Sequence, residues 1–335
     1  MIFLRSSPLS IILFVLLFAI NNNSKANIPN ESHELTLYVM PTMYPLDWSS
    51  PARLYKTMKT CYVKTIGLTD HYLLGHMAVK LESPLLDKPI LIGQASGSTS
   101  EKTQLILKEK IGYGILGATL TGRIETEEEL AHKIEVYARR GKLAFIKYRI
   151  NTEAMQRVLT FIEKYTQKFN TKNAACDFYG GAFWPRYENE GGSCTSFGFS
   201  LLDVINIVPP TDYKWKLDLK IPQQLIGGRF NNNRKVKFST IKKADAWHNG
   251  EGSLNKDFVK YSVYEPSIIF DWVLQKRRDT IPEYQAIDDD GVPGLYIDKT
   301  SVACKSNEPL FLQRAEPNLF IDVYLKMNGL SDKKN

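Results

Sequence analysis

The side chains and motifs that usually build metal or cofactor sites are scarce in this sequence. It contains five histidines and four cysteines in 335 residues, with neither an HExxH nor a CxxC pattern. The spacing of His71 and His76 does not suit a pair of metal ligands on a helix or on a strand. The glycine-rich stretch 111–122 matches neither a phosphate-binding loop nor a dinucleotide fingerprint, and we interpret it as a mobile loop. We therefore expect no metal ion and no cofactor.

The sequence also lacks a long basic tract and, after its N-terminus, any apolar run long enough to cross a bilayer. Its basic pairs are not interleaved with aromatic residues as in nucleic-acid-binding segments. We expect no nucleic-acid partner and no transmembrane domain after signal removal. Without Arg5 and Lys25 there are 41 basic and 36 acidic residues, a net charge of about +5. That charge favours only a weak attraction to anionic envelope surfaces.

The N-terminal residues 1–26 have the order of regions found in a secretory signal peptide. Arg5 supplies a positive charge, residues 11–20 are ten consecutive apolar residues, and Ser24 and Ala26 are small residues before an expected cleavage site. We predict that the mature chain begins at residue 27 and is exported, so that it is periplasmic or secreted. An uncleaved N-terminal anchor is the alternative.

The cysteines at positions 61, 176, 194 and 304 leave two interpretations open. An even number of cysteines in an exported chain is typical of two disulfides. A chain of this length does not require disulfides to form a core, however. Under the second interpretation, one of the cysteines is a nucleophile.

The segment GGSCTSFGFSLLD, residues 191–203, places Cys194 at the start of a helix. Ser193 is a good N-cap, and Phe197 and Leu201 follow Cys194 at helical spacing, so the thiol lies on the stripe that packs inward. The helix dipole and the free amides at a helix start lower a thiol pKa and can bind an oxyanion. A buried cysteine that only packs would fit the same pattern.

A thiolate nucleophile needs a base, and His76 has the most unusual setting of the histidines. It interrupts the apolar pattern of a strand predicted at residues 71–82. His33 lies in the mature N-terminus, which we expect to be frayed, and His132 lies in a charged helix. A lone histidine in a strand is more often a packed core residue. Its combination with a helix-start cysteine favours a Cys–His pair.

The remaining pattern predicts strands and helices that share one chain without repeats. Strands are predicted at 34–41, 71–82, 88–97 and 142–150, and helices at 49–64, 127–140, 151–169 and from 193. After residue 208 the chain becomes polar and rich in Asn, Lys and Asp. The predicted organisation is a signal peptide at 1–26, a catalytic domain at 27–208, and a C-terminal extension or small second domain at 209–335.

The order of these features resembles the circularly permuted branch of the NlpC/P60 papain-like superfamily. GHMAVKLE resembles the strand that carries the family's histidine, and KLAFIKYRINTEAMQRVLTFIEKY resembles the strand and helix that precede its cysteine. GGSCTSFGFSLLD resembles the family's asparagine–cysteine–threonine helix start, with Ser193 where asparagine is common. The resemblance covers residues 70–206 and is closest to exported or membrane-associated branches. These include a lipoprotein N-acyltransferase whose transmembrane helices this chain lacks.

The resemblance implies an α+β, papain-like fold in which an antiparallel sheet packs on the nucleophile helix. It also implies that Cys194 and His76 work with a third, polar residue that orients the histidine from the next strand. Gln94 fits that position best and Ser96 second. Glu82 lies six residues along the same strand as His76, roughly 20 Å away at the usual rise, and is too far.

The predicted activity is that of an exported thiol-dependent hydrolase or acyltransferase acting on an amide or ester bond. Its substrate would be a cell-envelope peptide, a protein or a lipid-linked acyl group. Trp184 and Tyr187 are candidates to line the substrate cleft, and Gly192 is a candidate to let a substrate backbone come close. The alternative is a non-catalytic exported binding protein with its cysteines in disulfides.

If Cys194 is free, at most two of the other cysteines can pair within the chain. We predict a Cys61–Cys304 disulfide, which would tie the C-terminal segment to the first domain, and a free Cys176. A Cys176–Cys194 bridge would instead favour the binding protein or a redox-controlled nucleophile.

Overall fold

The structure is a computed structural model that describes residues 32–170, 172–207, 215–279 and 282–330. The predicted signal peptide and the predicted domain boundary at 208–209 lie outside these residues. The described strands are β1 His33–Met40, β2 His76–Glu82, β3 Ile90–Ile92, β4 Gln94–Ser96, β5 Leu120–Ile124, β6 Ala144–Ile150, β7 Phe178–Tyr179, β8 Lys216–Pro222, β9 Phe258–Tyr264, β10 Gln285–Asp289 and β11 Val292–Asp298. The described α-helices are α1 Pro51–Lys64, α2 Thr99–Thr103, α3 Glu127–Arg139, α4 Thr152–Thr166, α5 Cys194–Asp203, α6 Phe238–Lys242, α7 Pro266–Lys276 and α8 Leu319–Met327.

Three sheets organise the chain, and the predicted α+β class is confirmed. The largest sheet has the order β10-β11-β6-β1-β2-β3, and the smaller ones are β4-β5-β7 and β8-β9. Every pairing in the large sheet is antiparallel except the parallel pairing of β11 with β6. Helices α4, α5 and α7 pack on this sheet. None of the helices in the described ranges combines the length and the apolar character needed to cross a membrane.

Local signals in the sequence fix the ends of several helices as predicted. Ser50, Asn151 and Ser193 accept backbone N–H groups as N-caps of α1, α4 and α5. A capping box formed by Thr126 and Glu129 begins α3. Capped helix starts can be read from sequence because the cap satisfies amides within its own turn.

The predicted strand at 88–97 is divided at Gly93. Its first part, β3, pairs with β2 in the large sheet, and its second part, β4, pairs with β5 in the small sheet. The strand therefore passes from one sheet to the next at the glycine. This crossing brings the end of β5 beside the start of β2.

Two predictions about local order are wrong. Residues 111–122 are not a mobile loop, because they contain a 3-10 turn at Tyr113–Leu116 and the start of β5. Tyr113, Leu116 and Leu120 belong to a buried apolar cluster. His33 is not frayed: it begins β1, is 2% exposed, and its ring nitrogens bond to the hydroxyls of Ser83 and Thr152.

The residues after 208 complete the environment of α5. Ser32–Asn335 form one compact unit. The ring of Phe199, in α5, lies 4.3 Å from that of Tyr264 in β9 and 5.7 Å from that of Trp215. The sequence predicts one inward stripe on α5, but every residue from Cys194 to Leu202 is buried. The polar C-terminal segment supplies the second wall around this helix.

Arg186 connects the C-terminal segment to the end of α5 through ion pairs and hydrogen bonds. Its guanidinium is fully buried and donates to the carboxylates of Asp203 at 3.1 Å and Glu308 at 2.6 Å. It also donates to the carbonyl oxygens of Pro309, at 3.1 Å, and of Leu310. A planar group with five donors suits this set of acceptors.

We predict that Arg186→Ala lowers the free energy of unfolding by about 2 kcal/mol or more, because it removes a fully buried guanidinium and leaves the carbonyl groups of Pro309 and Leu310 without their donor. The measurement is urea-induced unfolding. Lys88→Ala is the matched control: its side chain is 75% exposed and pairs with Glu127 at the surface. The control substitution should lower the free energy of unfolding by at most about 1 kcal/mol. Equal losses in the two variants would contradict the role given to Arg186.

Candidate active site

Cys194 is the first residue of α5, directly after its N-cap. The hydroxyl of Ser193 accepts the amide of Ser196 at 3.2 Å, and the hydroxyl of Ser196 accepts the amide of Ser193 at 2.7 Å. Gly198 lets the helix approach β2 closely, since a Cβ at this position would lie 2.5 Å from Sδ of Met77. The cap and the glycine therefore fix the first turn of α5 against the start of β2.

The thiol of Cys194 meets His76, the first residue of β2, in a buried setting. Cys194 is 7% exposed and His76 is 2% exposed. The sulfur lies close enough to the imidazole of His76 and to the backbone of Met77 for both groups to lower the pKa of the thiol. The structure thus brings together the two residues that the sequence predicts as a catalytic pair.

The electrostatics of this contact favour the charged form of both groups. Burial alone would raise the pKa of Cys194, but His76 beside it outweighs burial and lowers that pKa below its usual value. Burial alone would lower the pKa of His76, but Cys194 and Glu125 outweigh it and raise that pKa to about 9. A thiolate beside an imidazolium is the form that these shifts favour at neutral pH.

Glu125 is the carboxylate that holds His76. Its Oε2 lies 2.7 Å from Nε2 of His76, with both side chains almost fully buried. The ring N–H is not directed along this line, so the contact is an ion pair rather than a linear hydrogen bond. Burial would raise the pKa of Glu125, but His76 and Tyr72 outweigh it and lower that pKa. With Nε2 at the carboxylate, Nδ1 is the ring nitrogen left for the thiol.

Tyr72 completes the support of the histidine. Its hydroxyl donates to Oε1 of Glu125 at 2.7 Å, and its ring stacks on that of His76 with centroids 3.8 Å apart and planes 11° apart. Its backbone amide donates to the hydroxyl of Tyr137 at 2.8 Å. The imidazole is therefore fixed both at its edge and on its face, which limits its rotation.

Gln94, the predicted orienting residue, does not lie against His76. Its amide nitrogen donates to the carbonyl oxygens of Cys176 and Phe178 at 3.2 and 3.0 Å, and its amide oxygen accepts the hydroxyl of Tyr165 at 2.7 Å. The preceding position is the one that points towards His76, because a Cβ on Gly93 would lie 3.5 Å from Nε2. Gln94 instead holds the segment that leads to Cys194.

Gly192 also serves the packing of the chain itself. A Cβ at this position would lie 2.7 Å from Oε1 of Gln94 and 2.8 Å from Cγ of Pro185. Its amide donates to the carbonyl of Phe178 at 3.2 Å. The glycine therefore allows close approach of β7 and Pro185, and its amide is already engaged.

Trp184 and Tyr187 line a cleft beside the start of α5, as the sequence suggests for a substrate cleft. The cleft has a volume of about 380 Å³ and is also lined by Ser193, Thr195 and Tyr261. The ring of Tyr187 is covered by the guanidinium of Arg314 at 4.2 Å. These walls combine aromatic surface with hydroxyl groups next to the nucleophile.

The start of α5 offers hydrogen-bond donors beside the thiol. The cap uses the amide of Ser196, so the amides of Cys194 and Thr195 are those left by the first turn of α5. The hydroxyl of Tyr179 lies 4.0 Å from Sγ of Cys194. This set can stabilise negative charge on a carbonyl oxygen attacked by the thiolate.

The predicted Cys61–Cys304 disulfide is wrong, because all four cysteines are free. The thiol of Cys61 donates to the carbonyl of Leu73, 3.7 Å away, in the segment before β2. Cys304 instead lies near Glu153 and Arg157 of α4. Two cysteines held in such different surroundings cannot bond without backbone movement. The prediction that Cys176 is free is confirmed.

Glu125 and Tyr72 were missed at the level of sequence. Glu125 directly precedes the capping box of α3 and reads as part of the acidic run ETEEE, residues 125–129. Its role depends on β5, which the sequence analysis treats as loop. Tyr72 lies four residues before His76, and the only available signal was an aromatic residue close to the candidate base.

Comparison of the chain with protein-family models, with curated proteins and with solved structures finds no match. The interpretation of the site therefore depends on its own geometry.

We predict that iodoacetamide at neutral pH alkylates Cys194 faster than the other three cysteines, because the adjacent imidazolium lowers the pKa of its thiol. Burial raises the pKa of Cys176 to about 12, which makes it inert. His76→Ala should slow the alkylation of Cys194 by about tenfold or more. The measurement is peptide mass spectrometry over a time course. His248→Ala, a change distant in sequence from both site residues, is the control and should leave the rate unchanged. Equal alkylation of all four cysteines would contradict the assignment.

We predict that Glu125→Gln shifts the pH profile of Cys194 alkylation. Loss of the carboxylate lowers the pKa of His76 from about 9. The thiolate then has a weaker cation beside it, so its formation moves to higher pH. The measurement is the alkylation rate of Cys194 against pH, which a purely structural role would not shift in this direction. Glu127→Gln, an exposed carboxylate in the next helix, is the matched control. An unchanged midpoint in Glu125→Gln would assign the orienting role elsewhere.

Proposed function

We propose that the protein is an exported thiol-dependent hydrolase or acyltransferase that acts on an amide or ester bond. The observation that carries the proposal is the buried set of Cys194, His76 and Glu125. A helix-start thiol, an imidazole and an orienting carboxylate form the arrangement that nucleophilic acyl transfer requires. A histidine that only packs in a core has no need of a thiol on one side and a carboxylate on the other.

The proposed reaction has two halves. The thiolate of Cys194 attacks the carbonyl carbon, and the amides at the start of α5 stabilise the oxyanion. The imidazolium of His76 then donates its proton to the leaving nitrogen or oxygen as that bond breaks, which leaves a thioester on Cys194. In the second half, neutral His76 takes a proton from water or from an amine. The oxygen or nitrogen attacks the thioester and releases the product and the free thiolate.

Glu125 acts in this scheme as the positioning group of the base. It stabilises the imidazolium and holds the ring, with Tyr72 on its other oxygen. The high pKa of His76, about 9, keeps the proton available for the leaving group at neutral pH. The same pairing predicts that activity declines as the pH rises through that value, because His76 then loses the proton before the thioester forms.

The finer assignment is a permuted papain-like enzyme of the cell envelope. The resemblance over residues 70–206, the antiparallel pairing of β1 with β2 and β6, and the packing of α5 on β2 support it. The signal-like residues 1–26 support export. We propose a cell-envelope peptide, a protein or a lipid-linked acyl group as substrate, bound beside Trp184 and Tyr187.

The experiment that tests the proposal is the capture of the thioester. The purified protein is incubated with an envelope extract and with a simple activated ester, and its intact mass is measured before and after hydroxylamine. We expect a hydroxylamine-labile adduct on Cys194, and none on Cys194→Ala. His76→Ala should slow adduct formation by about 10²- to 10⁴-fold.

Cys61→Ser is the matched control, because it removes another buried thiol without touching His76. It should form the adduct at the rate of the unaltered protein. An adduct distributed over several cysteines, or one that forms equally well without His76, would overturn the proposed mechanism. Absence of any adduct would favour a binding protein.

A further inference from the structure

The second half of α1 and the segment that follows it expose several apolar side chains. The exposed fractions are 60% for Tyr62, 52% for Val63, 68% for Ile66, 43% for Leu68 and 45% for Leu74. Single exposed apolar residues are ordinary, but five within thirteen residues of one segment are not. This group is called the apolar tip below.

A basic surface adjoins the apolar tip. Arg53, Lys56 and Lys59 are exposed on α1 and follow one another at intervals of three residues, which places them on one side of the helix. With Lys64, and with Lys242 from α6, they line a shallow groove of about 640 Å³. The described residues that line the groove include no carboxylate. This group of five cations is called the basic groove below.

The sequence keeps acidic residues away from this surface. Residues 48–69 contain no Asp and no Glu. Arg53 alone of the helix cations has a carboxylate close by, Asp47 at 3.3 Å, and this contact is exposed. An exposed ion pair of this kind contributes little free energy in water. The basic groove therefore carries a positive potential that an anionic partner can use.

We propose that the basic groove and the apolar tip together dock the protein on an anionic lipid bilayer surface. Lysines next to exposed Tyr, Val, Ile and Leu match the two layers of a bilayer interface, anionic headgroups above acyl chains. Nucleic acid would bind the lysines, but it offers no apolar layer that Ile66 and Val63 could enter. The proposal does not depend on the chemistry assigned to Cys194.

Docking at this surface would place the bilayer close to the site along the chain. Leu74 of the apolar tip is two residues before His76, and Tyr72, which stacks on His76, lies between Leu68 and Leu74. The segment that contacts lipid is thus the segment that supports the imidazole. Residues 68–76 therefore carry both Leu68 and Leu74 of the apolar tip and Tyr72 and His76 of the candidate active site.

The test is cosedimentation of the chain from residue 27 onward, which contains the whole compact unit Ser32–Asn335 and lacks the apolar run 11–20. Vesicles of phosphatidylcholine with phosphatidylglycerol are compared with vesicles of phosphatidylcholine alone. We expect binding only to the anionic vesicles, and its loss when salt is raised from about 0.1 M to about 1 M. No activity measurement enters, so the outcome is separate from that of the proposed function.

Two variants and their matched controls locate the surface. Lys56→Ala with Lys59→Ala should weaken vesicle binding by about 25-fold, at about fivefold for each lysine near the headgroups. Ile66→Ser should weaken it by about tenfold, since the isoleucine no longer enters the acyl boundary. The controls are Lys164→Ala, in α4, together with Lys168→Ala, two residues after that helix, and Met327→Ser, a 60% exposed residue at the end of α8. Both controls should bind as the unaltered chain does.

Three results would overturn the proposal. The first is equal binding to vesicles with and without phosphatidylglycerol. The second is absence of vesicle binding together with salt-sensitive binding of a single-stranded or duplex oligonucleotide that requires Lys56 and Lys59. The third is an equal loss of vesicle binding in the control variants, which would assign the effect of the lysines to net charge and that of Ile66 to surface hydrophobicity in general.

Discussion

The buried contact between His76 and Glu125 is the interaction on which the candidate site depends. Removing an imidazolium and a carboxylate from water is expensive, and the cost is offset only where each charge keeps good partners. Here the second carboxylate oxygen of Glu125 accepts the hydroxyl of Tyr72, and the imidazole of His76 interacts with Cys194. The charge on the histidine is therefore stable at neutral pH, and that charge is what favours the thiolate. Removing either partner would leave the other buried with one of its two polar neighbours missing.

This contact also constrains the fold. His76 begins β2 in the large sheet, whereas Glu125 directly follows β5 in the small sheet. The two sheets must meet at this point, and the division of one predicted strand at Gly93 makes that possible. Since a Cβ on Gly93 would lie 2.9 Å from Oε2 of Glu125, no larger residue fits between the two groups. The ion pair between His76 and Glu125 and the crossing of the strand at Gly93 therefore depend on each other.

The sequence was sufficient to predict a site residue where the signal for it lies in neighbouring positions of the chain. Ser193 and Cys194 could be predicted from cap chemistry and helical spacing. His76 could be predicted because it is a polar residue in an apolar strand. Glu125 could not be predicted in the same way, because its partner lies 49 positions earlier in the chain and the strand that carries it was interpreted as loop. Gln94 directly follows Gly93, the position that faces His76, but alternation turns it away from His76 and towards Tyr165. The cysteines were misjudged because their number says nothing about their distance in the fold.

The parallel pairing of β11 with β6 has a consequence for the order in which the protein can mature. Chains are synthesised from the N-terminus, and domains generally fold as whole units. Cys194 is made well before β11, and before Glu308 and Leu310, which fix Arg186 at the end of α5. A nascent chain that has reached residue 207 thus contains Cys194, His76 and Glu125, but lacks the second wall around α5. The buried setting of the Cys194 thiol is thus a property of the finished polypeptide and not of the segment that carries it.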